Sequence, residues 1–154
     1  MNRFHIPAIL LVLLTQACNT ERNSSSKNTN ATSEESVAVY LTDQTFREKV
    51  FNYEENKEWK YEGTKPAIID FYADWCAPCR ELSPILEEVA KEYGDKIILY
   101  KIDTVKEKKL AETLGVAALP TLLYIPLEGK PQVRMGMVPK ESLRQAIDEI
   151  LLNE

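Results

Sequence analysis

Apolar residues fall into short blocks whose spacing alternates between strand-like and helix-like along the C-terminal three-quarters of the chain. Residues 37–41 alternate weakly and predict a short strand. Thr42 or Asp43 then suits an N-cap, and a helix is expected to about Tyr53. Residues 52–65 are mostly polar, with Tyr53, Trp59 and Tyr61 set among them, and predict a helix end followed by a loop. Residues 67–73 form an apolar run suited to a buried central strand. The next helix is expected to begin around Cys76 and to run to Tyr93, with Gly94 as its stop and Pro84 as a kink inside it. Residues 97–102 predict a second buried strand, and 105–114 a helix ended by Gly115. Residues 121–125 and 132–137 flank Glu128-Gly129-Lys130 and predict a hairpin. Last comes an amphipathic helix over 140–152, with Leu143, Ile147, Ile150 and Leu151 on one face. The order βαβαβαββα implies an α/β fold with a mixed sheet and helices on both faces.

The N-terminal quarter has a different texture. Arg3 precedes an apolar core over 6–14, broken only by Pro7, and Thr15-Gln16-Ala17 leads into Cys18. Nine apolar residues are too few to span a bilayer, so residues 1–17 predict an export signal cleaved after Ala17. Cys18 behind that bond resembles the lipid-modified cysteine of bacterial lipoproteins, although Thr15 stands where an apolar residue is expected. Residues 19–36 hold no aliphatic or aromatic side chain larger than Ala31, and residues 18–36 predict a flexible polar tether. The glycosylation-type triplets at Asn23 and Asn30 are taken as tether composition. Residues 37–154 are then one domain. Localisation is expected in the periplasm of a Gram-negative bacterium, with Cys18 holding the chain to a membrane.

Composition is that of an ordinary globular protein, 44% hydrophobic and 28% charged. The net charge is −5 and the cations are scattered, which argues against nucleic-acid binding. Chemistry concentrates at Cys76-Ala77-Pro78-Cys79, where the buried strand passes into a helix. Residues i and i+3 of a helix start lie about 5–6 Å apart, within the roughly 4.4–6.8 Å that a disulfide tolerates. Such a pair can open and close with little backbone movement. A thiol at a helix N-terminus faces unpaired N–H groups and a positive dipole end, which favour thiolate. Moving a thiol pKa from ~8.5 to ~7 takes about 2 kcal/mol, the upper end of what that position supplies. These residues predict a dithiol redox centre. A static disulfide is the weaker reading, because the closed loop is too small to stabilise much. Zinc is weaker still: the domain offers two cysteines and no histidine, since His5 lies in the leader.

With this element order and these cysteines, residues 37–152 resemble the thioredoxin family. Asp70 lies six residues before Cys76, Pro84 eight after it, and Leu119-Pro120-Thr121 opens the penultimate strand. Met135-Gly136-Met137 falls where the family has a glycine beside its substrate groove. The resemblance implies a thioredoxin fold and no cofactor beyond the redox-active Cys76–Cys79 disulfide. It implies that Cys76, the more exposed thiol, attacks a substrate disulfide, and that Cys79 resolves the mixed disulfide. Asp70, in mid-strand, is expected to be buried and to accept the Cys79 proton; a structural pairing with a nearby lysine is the alternative. Pro120 matches the family's cis-proline. Trp75, Ala77, Pro78, Leu119, Pro120 and Gly136 are the expected substrate-binding set, Trp75 as a partly exposed groove wall.

Departures from the family pattern are Ala77, Ala118, Tyr72 and Leu99, the last standing where a lysine often neighbours the aspartate, with Lys101 projecting from the same strand face. Tyr53, Trp59 and Tyr61 belong to an insertion relative to the shortest members and are expected to form a packing cluster. The resulting expectation is a monomeric protein-disulfide reductase. Its partners would be protein disulfides and a thioredoxin reductase or membrane electron donor. Rival readings are a net oxidant or isomerase, and a non-catalytic binding module on the same fold.

Overall fold

The computed structural model describes residues 37–154. The leader at 1–17, Cys18 and the tether at 18–36 lie outside the described residues. Five strands form one sheet in the order β1-β3-β2-β4-β5: β1 (Ala38–Tyr40), β2 (Ala67–Tyr72), β3 (Ile98–Asp103), β4 (Thr121–Ile125) and β5 (Gln132–Met135). The first three are parallel, β4 runs antiparallel to β2, and β5 antiparallel to β4. The helices are α1 (Asp43–Lys49), α2 (Ala77–Tyr93), α3 (Lys108–Thr113) and α4 (Lys140–Ala146). The sheet is mixed, as the element order predicts.

Alternation along the strands sorts the core into two layers. Ile68, Leu99, Leu122 and Tyr124 point to one face, where Leu82, Leu86 and Val89 of α2 and Leu143 of α4 cover them. Ile69, Phe71, Ile102 and Leu123 point to the other, against Phe46 of α1 and Leu110 of α3. Tyr53, Trp59 and Tyr61 pack on this second layer, with the Phe51 and Trp59 rings 4.9 Å apart, so the aromatic insertion is a packing cluster.

Three helix ends differ from the periodicity, each for a local reason. α1 stops at Lys49 rather than Tyr53 because the buried Val50 leaves helical geometry, its carbonyl accepts from the Glu62 N–H at 2.9 Å, and a new turn is built on Asn52. α3 starts at Lys108 rather than Val105 because the Asp103 carboxylate accepts the N–H groups of Val105 (2.9 Å) and Lys106 (3.3 Å), folding 104–107 into turns. The last helix widens to π geometry over Ile147–Leu152. Its buried residues Leu143, Ile147 and Leu151 recur every four positions, and the wider turn offsets the drift that a four-residue stripe shows on an α-helix. Elsewhere the boundaries shift by a residue or two: β5 ends at Met135, before Gly136 at φ +86°.

Candidate functional site

The cysteine pair sits where β2 hands the chain to α2. Ala73, in the connecting turn, accepts the Cys76 N–H at 3.0 Å, and the Arg80 guanidinium bonds the Asp74 carbonyl at 2.7 Å. Cys76 is the N-cap of α2, its sulfur accepting the Cys79 N–H at 3.3 Å, with Pro78 in the first turn, where the missing N–H would have had no partner. Cys76 and Cys79 are joined as a disulfide, Cα to Cα 5.3 Å. A sulfur at this cap takes the Cys79 N–H and faces the positive end of α2, an environment that stabilises a thiolate when the bond opens.

In the disulfide form Cys76 is 4% exposed and Cys79 2%, the expected order, and both are buried against Ala73, Tyr72 and Leu119. Access is instead signalled by the residues around them. Trp75 is 72% exposed, and Ala77 and Pro78 are exposed beside it. Trp75 walls a cleft of about 280 Å³ whose other side is formed by residues 116–119 and the start of α3. Leu119–Pro120 is a cis peptide bond, Leu119 is half-buried against the disulfide, and Pro120 is buried. The Pro120 carbonyl accepts the Gly136 N–H at 2.8 Å, which ties Gly136 to this end of the sheet. The structure therefore gathers Cys76, Cys79, Trp75, Ala77, Pro78 and Leu119 directly, and links Gly136 through Pro120.

Behind the disulfide lies a charged cluster. Asp70 is fully buried, and neither carboxylate oxygen has a hydrogen-bond partner. Burial pushes its carboxyl up to about 6, with Lys101 opposing and Glu87 adding to the rise. The β2–β3 register sets Lys101 opposite Asp70, with Nζ 3.8 Å from Oδ2, and sets Leu99 opposite Ile68. This corrects the expectation about Leu99: it is a core residue, and the lysine beside the aspartate is Lys101. Sequence reasoning missed the rest of the cluster. Lys101 donates to the Ser83 hydroxyl, lies 3.5 Å from Glu87, and sits 5.2 Å from the centre of the Tyr72 ring. The signal was available, since Cys79, Ser83 and Glu87 recur every four residues on α2 and so share one face. Cys79, Ser83 and Lys101 line one cavity of about 210 Å³, room for water between Cys79 and Lys101, whose Nζ in turn lies 3.8 Å from Asp70.

Comparison with known proteins places this geometry in context. The family description "Thioredoxin" matches residues 37–149. A thioredoxin of Borreliella burgdorferi is 46% identical over 113 residues, covering 73% of this chain and 97% of that protein. Thioredoxin 1 of Synechococcus elongatus is 32% identical over 116 residues, covering 75% of this chain and 99% of its own. Among solved structures, chloroplastic thioredoxin z superposes with a TM-score of 0.62 at 23% identity, covering 73% of this chain and 93% of that one, a likeness of fold.

Proposed function

Because this chain belongs to the thioredoxin family and is a thiol–disulfide oxidoreductase, we propose that it acts as a reductant of protein disulfides outside the cytoplasmic membrane, tethered there through Cys18. The observation that carries the reading is the disulfide capping α2 between an exposed Trp75 and a buried Asp70. With the pair reduced, the Cys76 thiolate attacks one sulfur of a client disulfide. The client bond breaks, a mixed disulfide forms, and the client's other sulfur leaves as thiolate. Cys79 then attacks the Cys76 sulfur, giving its proton by way of water beside Lys101 to Asp70, and the second client thiolate departs. The client has gained two electrons and the chain holds the Cys76–Cys79 disulfide.

Renewed turnover needs a two-electron donor, a thioredoxin reductase or a membrane dithiol. Ala77-Pro78 keeps the proline between the cysteines and supplies no histidine, which favours the reducing direction over an oxidant or isomerase. The extracytoplasmic placement rests on the Arg3 and apolar 6–14 leader, the Ala17-Cys18 step, and a family match that begins only at residue 37, where the polar tether ends.

The test combines insulin reduction with trapping. The full-length protein should accelerate insulin precipitation with dithiothreitol as donor, and Cys79→Ser should accumulate mixed disulfides through Cys76. A wild-type chain that neither reduces insulin nor traps clients as Cys79→Ser would leave only a binding role. A measured reduction potential well above −200 mV would turn the direction to oxidation.

A further inference from the structure

Away from the disulfide, β5 and α4 enclose a cavity of about 480 Å³ whose wall is largely polar: Tyr124, Gln132, Arg134, Ser142, Gln145 and Glu149. Its volume lies within the range of small-molecule sites. Tyr124 is three residues along β4 from Thr121, about 10 Å from the cis-proline end of that strand. Two side-chain donors in this wall have no hydrogen-bond partner among the described residues: one buried, one exposed. Tyr124 is fully buried, yet its hydroxyl has no hydrogen-bond partner. Burial pushes the phenol up to about 12, with Arg134 pulling against it, so the hydroxyl is a neutral donor near pH 7. Of the four arginines among the described residues, Arg47 and Arg144 bind carboxylates and Arg80 a backbone carbonyl. The exposed side chain of Arg134 makes no hydrogen bond or ion pair among the described residues.

We propose that this cavity is a binding site for a small molecule bearing a single carboxylate. One carboxylate oxygen takes the Arg134 guanidinium and the other the Tyr124 hydroxyl, which gives the buried hydroxyl an acceptor and exchanges water for a charged partner on the guanidinium. Gln132 shares the Arg134 face of β5 by two-residue alternation and offers an amide to a second polar group on the ligand. Glu149, fixed by the Gln145 amide at 2.8 Å, sets an upper limit on negative charge. It disfavours a dianionic phosphate and leaves a monocarboxylate as the fitting anion. Apolar side chains of Val138, Ala146 and Ile150 complete the wall and suit a compact aliphatic body.

N-acetylleucine carries these features, and N-acetylleucinamide differs from it only at the carboxylate. Titration of the full-length protein with each, followed by amide chemical shifts and melting temperature, tests the site. N-acetylleucine should move resonances around Tyr124, Arg134 and Gln145 and raise the melting temperature, and the amide should bind at least tenfold more weakly. Arg134→Gln should weaken N-acetylleucine at least tenfold, and Tyr124→Phe severalfold, with insulin reduction unchanged in both. Tyr124→Phe deletes a buried hydroxyl that has no partner, so the unliganded variant should melt no lower than the wild type; if it fails to fold, the Arg134→Gln and amide comparisons decide alone. Equal binding of acid and amide, indifference to Arg134→Gln, tighter binding of inorganic phosphate, or no shifts at all would overturn the proposal.

Discussion

Asp70 is a carboxylate in the middle of a central strand with no hydrogen bond to hold its charge, and this decides how the site responds to pH. Burial lifts its carboxyl from an ordinary value near 3.8 to about 6. Below pH 4 it is protonated whether the chain is folded or not. Between 4 and 6 the unfolded chain ionises first, so stability falls as pH rises, by up to about 1.4 kcal/mol per pH unit. Above 6 the native state carries a constant burden of about 2–3 kcal/mol. Asp70→Asn should therefore stabilise the protein by about that much at pH 8 and by little at pH 4, measured by urea unfolding at both. The same variant should reduce insulin more slowly, because Cys79 loses its proton acceptor. Lower stability at pH 8 with an unchanged rate would make Asp70 a structural partner of Lys101. The two cysteines differ more in helix position than in burial. After reduction, iodoacetamide should alkylate Cys76 first, since it is the cap residue and Cys79 lies within the helix; peptide mapping that finds Cys79 labelled first would reverse their roles.

α2 carries the cap sulfur at one end and is closed by Gly94 at the other. Gly94 adopts φ +52° and ψ −127°, a conformation in which a side chain is strained even though nothing lies within 4 Å of its added Cβ. Gly94→Ala should cost about 1–3 kcal/mol, read as a lower melting temperature. Insulin reduction at 25 °C should be retained, because the strain falls at the end of α2 away from Cys76. Between these ends α2 is fastened to α4. Arg144 and Lys140 converge on Glu92, with contacts of 2.8 and 2.9 Å, and the Tyr93 hydroxyl donates to Asp148 at 2.7 Å. The two cations hold the Glu92 carboxyl down at about 2, so this contribution is present at neutral pH and is lost as pH falls through about 2. Held from both ends and along one side, α2 presents a fixed cap to the substrate.

At the scale of the whole molecule, the redox site occupies the point where three segments of distant sequence meet: the β2–α2 turn, the cis-proline before β4, and the residue following β5. The disulfide, its cap and the cis-proline are built from residues 70–136, so the proposed anchor at Cys18 supplies none of these groups. Cys18→Ser should move the protein from the membrane fraction to the soluble one, with insulin reduction unchanged. Mass spectrometry of the wild-type N-terminal peptide should find a lipidated Cys18. A wild-type protein that is already soluble, with no lipid mass at Cys18, would remove the anchor and leave the reductase intact.

Local chemistry was legible in the chain itself. Near-continuous apolar runs placed β2 and β3, Gly94 marked the end of α2, and Cys76 to Cys79 at a strand–helix junction announced a dithiol. Each depends on residues a few positions apart, where sequence separation and spatial separation nearly coincide. What the tertiary structure decided was every pairing across the sheet. Only the β2–β3 register sets Lys101, and not Leu99, against Asp70: the two share a strand face, so alternation does not separate them and a two-residue shift would exchange them. Only packing hides both cysteines in the disulfide form and leaves Trp75 outside. Helix lengths failed where tertiary bonds competed with periodicity, as the Asp103 carboxylate did at the start of α3 and the Glu62 bond to Val50 did at the end of α1. The orphan Tyr124 hydroxyl beside Arg134 belongs to the same class: both residues sit in strands by local pattern, but the cavity they share exists only because α4 folds back over the hairpin.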